Sequence, residues 1–326
     1  MPIALVSPEP IRRRPGRWSE LLEAADFEVV YPEGDATVDA AQLRRLLPLA
    51  DVIMAGGETY SAELIGIARR AKIIARTGVG YDAVDLAAAT SHGIPVTITP
   101  GTNHESVAEQ ALALLLAVMR RIALNDRIIR AGGWDRTLPK PLRGKTIGLV
   151  GFGRIGRAMV PRAVAFGLHV LAHDPAIPPD RRDDSSVEFV ELDELLARAD
   201  IVSLHLPVLD STRKSFHRGT FEKMKPGAVL INTSRGGLVV ESDLIDALES
   251  GRLSGAGLDV FDPEPPSPGN PLLQLPTVVG SPHVAGIDER SMLDMAELAA
   301  RCMIEAFRGA PPRDCVVNPE VFDRPR

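Results

Sequence analysis

One segment near the middle of the chain constrains the fold more than any other. Lys145–Val150 has the pattern of a buried strand and runs directly into the sequence Gly-Phe-Gly-Arg-Ile-Gly at residues 151–156. A helix pattern opens at that run, and a second strand pattern then ends at Asp174, roughly twenty residues after Gly151. Strand, glycine-rich turn, helix, strand and acid in this order predict a βαβ unit that binds a dinucleotide.

Each glycine has a physical task in such a unit. Gly151 makes the tight turn from strand to helix, and Gly153 lets the backbone approach the pyrophosphate. Gly156 lets the helix pack closely on the strand, and the helix N-terminus offers free N–H groups and a positive dipole to the phosphates.

The acid at the end of the second strand indicates which dinucleotide binds. The carboxylate of Asp174 accepts hydrogen bonds from ribose hydroxyls and repels a 2′-phosphate, so NAD (NADH) is expected in preference to NADP (NADPH). Arg181 and Arg182 lie downstream and would soften this preference if they faced the ribose. We interpret them as part of a solvated loop.

Composition excludes several classes of protein. The 326 residues suggest two domains, and 45% hydrophobic with 25% charged residues is typical of a globular chain. The formal charge of −6 argues against nucleic acid as a main partner. The longest strongly apolar stretch, Ala111–Met119, is too short to span a bilayer. Met1–Pro10 lacks the basic and then apolar regions of a signal peptide, so none is expected. We expect a soluble, cytoplasmic protein with no membrane partner.

The remaining chain alternates short apolar runs with helical patterns, which predicts parallel α/β sheets. One such block extends to about residue 99, and Pro100-Gly101 punctuates the chain after it. A single long helix is predicted from Ser106 to about Ile129.

An arginine-rich stretch near the N-terminus is interpreted as a solvated loop rather than an anion site; it contains Arg12, Arg13, Arg14 and Arg17.

Three charged residues follow predicted strands of the second block. Arg235 stands in Asn-Thr-Ser-Arg-Gly-Gly at 232–237, Glu264 in Asp-Pro-Glu-Pro at 262–265 and His283 in Ser-Pro-His at 281–283. Ligands of open parallel sheets bind beyond the carboxyl ends of the strands, which is where these residues are expected. The other histidines and the cysteines Cys302 and Cys315 show no metal-ligand spacing, so no metal is predicted.

Taken together, these motifs resemble the D-isomer-specific 2-hydroxyacid dehydrogenases, the family of D-3-phosphoglycerate, D-glycerate and D-lactate dehydrogenases and of glyoxylate and hydroxypyruvate reductases. The resemblance covers nearly the whole chain. It rests on the motifs named above and on further short runs: Gly-Val-Gly-Tyr-Asp at 78–82, Ser-Val-Ala-Glu at 106–109 and His-Leu-Pro at 205–207.

The resemblance implies catalytic roles. His283 would be the acid–base, a role that suits an imidazole with an unperturbed pKa of about 6.5. Glu264 would bond the other ring nitrogen and stabilise the imidazolium. Arg235 would bind the substrate carboxylate and polarise the carbonyl, and the backbone at Val79 and Gly80 would hold the same carboxylate.

It also implies further cofactor contacts. Thr233 and Asp259 would lie at the nicotinamide, Arg154 and Ile155 would wrap the pyrophosphate, and Pro207 would lie beside the adenosine.

The implied fold has two Rossmann-like domains with a cleft between them: a flavodoxin-like substrate domain and an NAD-binding Rossmann domain. The substrate domain would be discontinuous, made of residues 1–99 and 287–326, with residues 100–286 binding NAD. The helix that starts near Ser106 would form a homodimer interface. Because the chain stops at residue 326, we expect no C-terminal regulatory domain.

Three positions depart from the common pattern of the family. Ala83 replaces a frequent Asn, Gln110 replaces a frequent His or aromatic residue, and Leu209 replaces a frequent Thr. The loss of the hydroxyl at Leu209 puts one hydrogen bond of the cofactor loop in doubt.

The expected function is NAD-dependent interconversion of a D-2-hydroxy acid and its 2-oxo acid; the sequence does not name the acid. Formate dehydrogenase resembles the chain but carries Gln where Glu264 stands, which argues against it. Phosphite dehydrogenase keeps the Arg–Glu–His set and remains open. A non-catalytic NAD-sensing protein, like the corepressors that share this fold, is the alternative of another class.

Overall fold

The computed structural model describes residues 1–12, 14–34, 38–178 and 184–323. Arg13, Arg181 and Arg182 lie outside the described residues. The chain divides into two compact units by its internal contacts. Unit 1 comprises Met1–Asn103 together with Ile287–Arg326, and unit 2 comprises His104–Gly286.

Within the described part of unit 1, five parallel strands form one sheet in the order β2-β1-β3-β4-β5. This is the flavodoxin-like order of a doubly wound sheet. The strands are β1 (Ile3–Val6), β2 (Glu28–Val30), β3 (Val52–Ala55), β4 (Ile74–Arg76) and β5 (Val96–Thr97). The α-helices of the described residues are α1 (Arg17–Ala24), α2 (Ala40–Leu46), α3 (Ala62–Ile67), α4 (Leu86–Ser91) and α11 (Glu289–Phe307).

Local sequence explains where several of these helices begin. Asp39, Ser61, Asp85 and Asp288 precede α2, α3, α4 and α11, and each side chain accepts a hydrogen bond from a backbone N–H of the first turn. Such caps satisfy donors that the helix itself leaves unpaired.

The C-terminal part of the chain completes the core of unit 1. The buried face of α11, which includes Met295, Ala299 and Cys302, packs against α1, β3 and β4. After α11 the chain runs beside β5, where the N–H of Val317 donates to the carbonyl of Val96 at 2.9 Å. The side chain of Asn318, fully buried, completes this attachment, because its amide bonds the backbone of Val96 and of Ile94.

In unit 2, seven strands of the described residues form a second parallel sheet in the order β12-β11-β10-β9-β6-β7-β8. Counted from β6, this is the Rossmann order with one added strand. The strands are β6 (Thr146–Val150), β7 (His169–His173), β8 (Val187–Phe189), β9 (Ile201–Leu204), β10 (Ala228–Asn232), β11 (Leu253–Leu258) and β12 (Val278–Gly280). The α-helices are α5 (His104–Met119), α6 (Ile122–Arg130), α7 (Arg154–Ala165), α8 (Leu192–Arg198), α9 (Arg218–Lys223) and α10 (Glu241–Glu249).

The prediction of one long helix from Ser106 to about Ile129 is wrong. Helix α5 ends at Met119, and Arg121 adopts a left-handed conformation with φ of 57° before α6 begins. The break falls where the apolar stretch ends: α5 packs on α7, β10 and β11, whereas every residue of α6 is at least partly exposed. The helical spacing of apolar residues is the same in both segments, so it does not show that the first is buried and the second is exposed.

Strand β8 lies at the edge of this sheet and has only three residues, Val-Glu-Phe, which is too short for a recognisable alternating pattern. Among the helices of the described ranges, none combines the length and the apolar character needed to cross a membrane.

Candidate active site and cofactor-binding loop

The loop after β10 places Arg235. At the end of this strand, the side-chain oxygen of Asn232 accepts from the N–H of Ser234 at 3.0 Å, and its amide donates to the carbonyl of Arg235 at 2.8 Å. A Cβ at Gly236 would lie 2.1 Å from the carbonyl carbon of Phe261, so only glycine fits there. This close approach brings the half-buried Arg235 to the loop that carries Glu264.

Glu264 and His283 form a direct pair. The Nδ1 of His283 lies 2.6 Å from Oε2 of Glu264, while Oε1 accepts from the backbone N–H of Phe261 at 3.0 Å. No partner among the described residues bonds the Nε2 of His283. The side chains are 46% and 35% exposed, so the free ring nitrogen belongs to a group that a small molecule can reach.

The protonation of Glu264 follows from these contacts. Burial raises the pKa of Glu264, but the hydrogen bonds from His283 and Phe261 and the charges of His283 and Arg235 outweigh burial. The pKa of this carboxyl therefore lies below its usual value, and Glu264 is ionised at neutral pH.

The backbone of His283 is held in a left-handed conformation, with φ of 53°. Its N–H donates to the carbonyl of Asp259 at 2.8 Å. The fully buried carboxylate of Asp259 accepts from the hydroxyl of Ser281 at 2.6 Å and from the N–H groups of Val284 and Ala285 at 3.0 and 2.8 Å. Asp259 thus bonds the residues on both sides of the histidine.

The glycine run of the second unit is a tight turn with little room. Gly151 has φ of +98°, and a Cβ there would lie 2.5 Å from the carbonyl oxygen of His205. A Cβ at Gly156 would lie 2.5 Å from the carbonyl oxygen of Gly151. At Gly153, which precedes the first turn of α7, a Cβ would meet no described atom within 4 Å. The open space at a helix N-terminus suits a phosphate group.

Two polar groups beside this turn suit the rest of a dinucleotide. Asp174 accepts from the N–H of Phe152 at 2.8 Å and from that of Ala176 at 2.9 Å, and each carboxylate oxygen retains a lone pair for a ribose hydroxyl. The hydroxyl of Thr233 is buried and has no hydrogen-bond partner among the described residues. A buried polar atom without a partner is unusual, and a ligand group would satisfy it.

His205 lies beside the turn but has a different character. Its Nε2 lies 3.0 Å from the hydroxyl of Ser203, and burial lowers the pKa of His205 to about 4. The ring is therefore neutral at neutral pH.

In unit 1, Val79 and Gly80 lie in the loop after β4. Among the described residues, no acceptor contacts the backbone N–H of either one. Two free N–H groups in successive residues are a common way for a backbone to bind an anion.

The arginine-rich stretch near the N-terminus makes local bonds. Arg12 donates to the carbonyls of Ser7 and Gly34, and Arg17 pairs with Glu20 at 3.0 Å.

In the described ranges, no group of three or more His, Cys, Asp or Glu side chains is arranged to hold a metal ion.

Residues 112–285, about half of the chain, match the family model described as D-isomer specific 2-hydroxyacid dehydrogenase, NAD binding domain. The chain belongs to the D-isomer specific 2-hydroxyacid dehydrogenase family.

Curated relatives lie within the same family. The chain is 40% identical over 283 residues to a D-3-phosphoglycerate dehydrogenase of Archaeoglobus fulgidus, which covers 86% of this chain and 54% of that protein. It is 42% identical to a hydroxypyruvate reductase of Thermotoga maritima, over 74% of this chain and 80% of that one. Among solved structures, the TT0316 protein of Thermus thermophilus is 38% identical, with a TM-score of 0.87 over 97% of this chain and 99% of that one. The chain spans about half the length of the phosphoglycerate dehydrogenases that it matches.

At two of the three positions that depart from the common dehydrogenase pattern, Leu209 and Gln110, the structure shows compensating hydrogen bonds. Near Leu209, the hydroxyl of Thr212 accepts from the N–H of Leu209 at 2.8 Å and donates to the carbonyl of Pro207 at 2.7 Å. The loop that contains the exposed Pro207 is therefore held by the hydroxyl of Thr212. Gln110 donates to the hydroxyl of Ser281 at 2.9 Å, the same hydroxyl that bonds Asp259.

Two groups near the Glu264–His283 pair were not among the predicted site residues. The backbone N–H of Phe261 donates to Glu264, and the hydroxyl of Ser281 donates to Asp259. Ser281 lies in the Ser-Pro-His run, which was the available signal, whereas a backbone N–H leaves no trace in the sequence.

Proposed function

We propose that this protein is an NAD-dependent oxidoreductase that interconverts a D-2-hydroxy acid and its 2-oxo acid. The observation that carries the proposal is the 2.6 Å bond between Glu264 and Nδ1 of His283, beside the cationic Arg235. An acid–base pair next to a fixed cation is what carbonyl reduction requires: a proton donor for the oxygen and a positive group that draws electrons from the carbonyl.

His283 acts as the acid–base through Nε2. In reduction it gives its proton to the carbonyl oxygen, and in oxidation it takes the hydroxyl proton. The ionised Glu264 fixes the ring orientation and stabilises the imidazolium, because an opposite charge at hydrogen-bond distance favours the charged form. The hydride is supplied by the nicotinamide when NADH is bound.

Arg235 binds the substrate carboxylate and polarises the carbonyl, and the free N–H groups of Val79 and Gly80 bind the carboxylate. The planar guanidinium suits a carboxylate, to which it donates in parallel. Backbone N–H groups add directed donors without the flexibility of a long side chain.

The dinucleotide site holds NAD. Gly151, Gly153 and Gly156 form the turn around the pyrophosphate, with Arg154 and Ile155 as flanking contacts. The partly buried Asp174 bonds the adenosine ribose and disfavours a 2′-phosphate, so NADH is preferred over NADPH.

Three further residues complete the cofactor contacts. Thr233 donates its unpaired hydroxyl to the nicotinamide side, where Asp259 also contributes, and Pro207 lies beside the adenosine.

The substrate is inferred to be a small 2-oxo acid. The relatives carry the names D-3-phosphoglycerate dehydrogenase, hydroxypyruvate reductase and glyoxylate reductase. All three substrates named there are acids with an oxygen at C2, so the proposal names the class of acid and the assay below selects among its members.

We also propose that the protein is a homodimer. Large apolar side chains are exposed on α6 and on the segment after it: Ile122, Ile129, Trp134 and Leu138. Trp134 is 82% exposed and Leu138 is 91% exposed, which is unusual unless another chain covers them. The apolar residues of α5 itself pack within unit 2, so the interface would be centred on α6 rather than on the start of α5.

The experiment is a panel of acids assayed with NADH and with NADPH. Glyoxylate, hydroxypyruvate, pyruvate, phenylpyruvate and phosphohydroxypyruvate are offered for reduction, and formate and phosphite for oxidation. Turnover of one or more 2-oxo acids with NADH is expected. Turnover of formate or phosphite alone would replace the proposal with those activities, and cofactor binding without any turnover would identify a binding protein.

A further inference from the structure

The loops after β1, β3 and β4 of unit 1 carry buried polar residues that the proposed reaction does not use. These strands are neighbours in one parallel sheet, so the loops that follow them lie side by side at its carboxyl edge. The loops are Ser7–Pro8, Gly56–Glu58 and Gly78–Gly80, and the third contains the carboxylate-binding residues proposed above.

Glu58 joins the first loop to the second. Its side chain is almost fully buried, and its Oε1 accepts from the N–H of Gly56 and from the hydroxyl of Tyr60, both at 2.9 Å. The same oxygen contacts the hydroxyl of the buried Ser7. A Cβ at Gly56 would lie 2.7 Å from the other carboxylate oxygen and 3.1 Å from Cα of Pro8, so the loops meet without space for a larger residue.

Arg76 joins the second loop to the third. Its Nε donates to the carbonyl of Gly80 at 2.9 Å, and its Nη1 donates to the carbonyl of Gly56. The guanidinium also lies against Gly78, where a Cβ would be 3.2 Å from Nη2. A planar fork can bond two carbonyls at fixed directions, which a lysine ammonium on a flexible stem does not reproduce.

The other end of the third loop is held by Thr99. The N–H of Gly78 donates to its hydroxyl at 3.0 Å, and the N–H of Thr99 donates to the carbonyl of Gly78 at 3.0 Å. Thr99 is 1% exposed. Val79 therefore lies between two anchored residues, Gly78 and Gly80, while its own N–H and that of Gly80 stay without an acceptor among the described residues.

We propose that Arg76 and Glu58 are positioning residues that hold Val79 and Gly80 in the conformation that binds the substrate carboxylate. This inference rests on the proposed function, in which those N–H groups bind that carboxylate. A loop that is already ordered loses less entropy on binding, so the two residues increase affinity for the acid without touching it.

The expected kinetic signature is specific. The carboxylate is bound in the ground state and in the transition state alike, so a looser loop raises KM more than it lowers kcat. Binding of NADH, which is assigned to unit 2, stays unchanged. A general loss of folding would instead lower the active fraction, and therefore kcat, at constant KM.

The test compares Arg76→Lys with Arg70→Lys. Arg70 is another arginine of the same unit whose guanidinium is bonded, here to the carboxylate of Asp51 at 2.9 Å, but it lies next to the amino end of β3, at the opposite edge of the sheet. For the best 2-oxo acid of the panel, Arg76→Lys is expected to raise KM about tenfold, the effect of one lost charge-assisted hydrogen bond. Arg70→Lys keeps the KM of the wild type, and both keep its dissociation constant for NADH, measured by fluorescence.

Glu58→Gln and Thr99→Val supply independent probes if Arg76→Lys folds poorly. Glu58→Gln removes the negative charge from the group on which Ser7, Gly56 and Tyr60 converge. Thr99→Val removes only the hydroxyl that accepts from Gly78. Each is expected to raise KM in the same direction. Wild-type KM in well-folded variants would overturn the proposal.

Hydrogen exchange separates this inference from the proposed function. If the wild type reduces no 2-oxo acid, the proposed function fails, but exchange at residues 78–82 still reports the loop. Faster exchange in Arg76→Lys than in the wild type and Arg70→Lys supports the anchoring role, and equal exchange in all three proteins contradicts it.

Discussion

At the scale of the residue, the role proposed for His283 depends on which ring nitrogen is already bonded. Glu264 bonds Nδ1, so Nε2 is the atom to which we assign the proton transfer. The histidine also needs its unusual backbone conformation, which the N–H groups bonded to Asp259 maintain on its C-terminal side. Two carboxylates thus act on His283: Glu264 orients the ring, and Asp259 holds the backbone beside it.

Replacing the proposed acid–base tests that assignment. His283→Ala is expected to lower kcat by about a hundredfold or more, because general acid–base catalysis contributes about that much. Steady-state assays with the best 2-oxo acid measure the change. The exposed His169, outside the site, provides the control: His169→Ala should keep the wild-type rate. Unchanged turnover in His283→Ala would remove this histidine from the mechanism.

Asp174 is the residue proposed to select NADH over NADPH. Asp174→Ala removes the negative charge that a 2′-phosphate would meet, so the ratio of kcat/KM for NADH over NADPH is expected to fall. Asp174→Asn removes the charge but keeps an oxygen that accepts from the N–H of Phe152. This variant therefore distinguishes the effect of the charge from the effect of the hydrogen bond that holds the loop. Asp193→Ala, on an exposed helix face, serves as the control. A wild type that already prefers NADPH would contradict the role assigned to Asp174.

At the scale of the element, the two edges of the unit 2 sheet carry different residues. The carboxyl edge carries Arg235, the glycine turn and Asp259, whereas the amino edge carries an ion cluster around Asp200. This carboxylate accepts from Lys225 at 2.8 Å, from Lys145 at 3.2 Å and from the N–H of Thr146 at 3.0 Å. The cluster joins the starts of β6 and β9 and lies away from the proposed chemistry.

The Asp200 cluster predicts a pH-dependent part of the stability. Burial raises the pKa of Asp200, but the bonds from Lys225, Thr146 and Lys145 outweigh it and hold that pKa below its ordinary value. A depressed pKa means that the ionised form stabilises the fold above the unfolded-state value, about 3.9, and that this contribution is lost as pH falls through the folded-state value.

Asp200→Asn is therefore expected to lower the free energy of unfolding by about 1.5–3 kcal/mol at neutral pH, the range for a hydrogen bond to a charged group. Urea unfolding at pH 7 and at about pH 3 measures it, and the difference from wild type should shrink at the lower pH. Asp193→Asn, whose carboxylate pairs with Lys223 at the surface, should change little. An equal difference at both pH values would disprove the linkage.

At the scale of the whole molecule, both ends of the chain build unit 1. Helix α11 packs on β3 and β4, and Asn318 fixes the following segment beside β5. Unit 2 is continuous in sequence. Among its described residues, the most exposed large apolar side chains lie on α6 and on the segment that includes Trp134 and Leu138. A second copy of the chain is the proposed occupant of that surface.

Charged substitutions on that surface test the dimer. Ile129→Glu combined with Leu138→Glu is expected to convert a dimer into a monomer, because a carboxylate placed in an apolar interface must be desolvated without a partner. Sedimentation velocity of wild type and variant measures the mass. Leu49→Glu places the same charge at an exposed apolar residue of unit 1 and should leave the dimer intact. A monomeric wild type would disprove the dimer.

Much of the architecture follows from short stretches of sequence. The strand that ends at Val150, the glycines after it and the acid at Asp174 predict a parallel α/β unit, because turn geometry and strand burial are local properties. The alternation of strand and helix likewise predicts two parallel sheets, which the structure confirms. The membership of the family is readable from the same motifs and is confirmed by the family match.

Other features were decided only by tertiary structure. The break at Arg121 depends on which surface each helix segment packs against, and the bond from Gln110 to Ser281 joins residues far apart in the chain. The anchoring of Gly80 by Arg76 likewise needs the strands to be neighbours before the loops can meet. Local sequence sets turns, caps and periodicity; contacts between distant residues exist only once the sheets have assembled, and those contacts orient the groups proposed to act on the substrate.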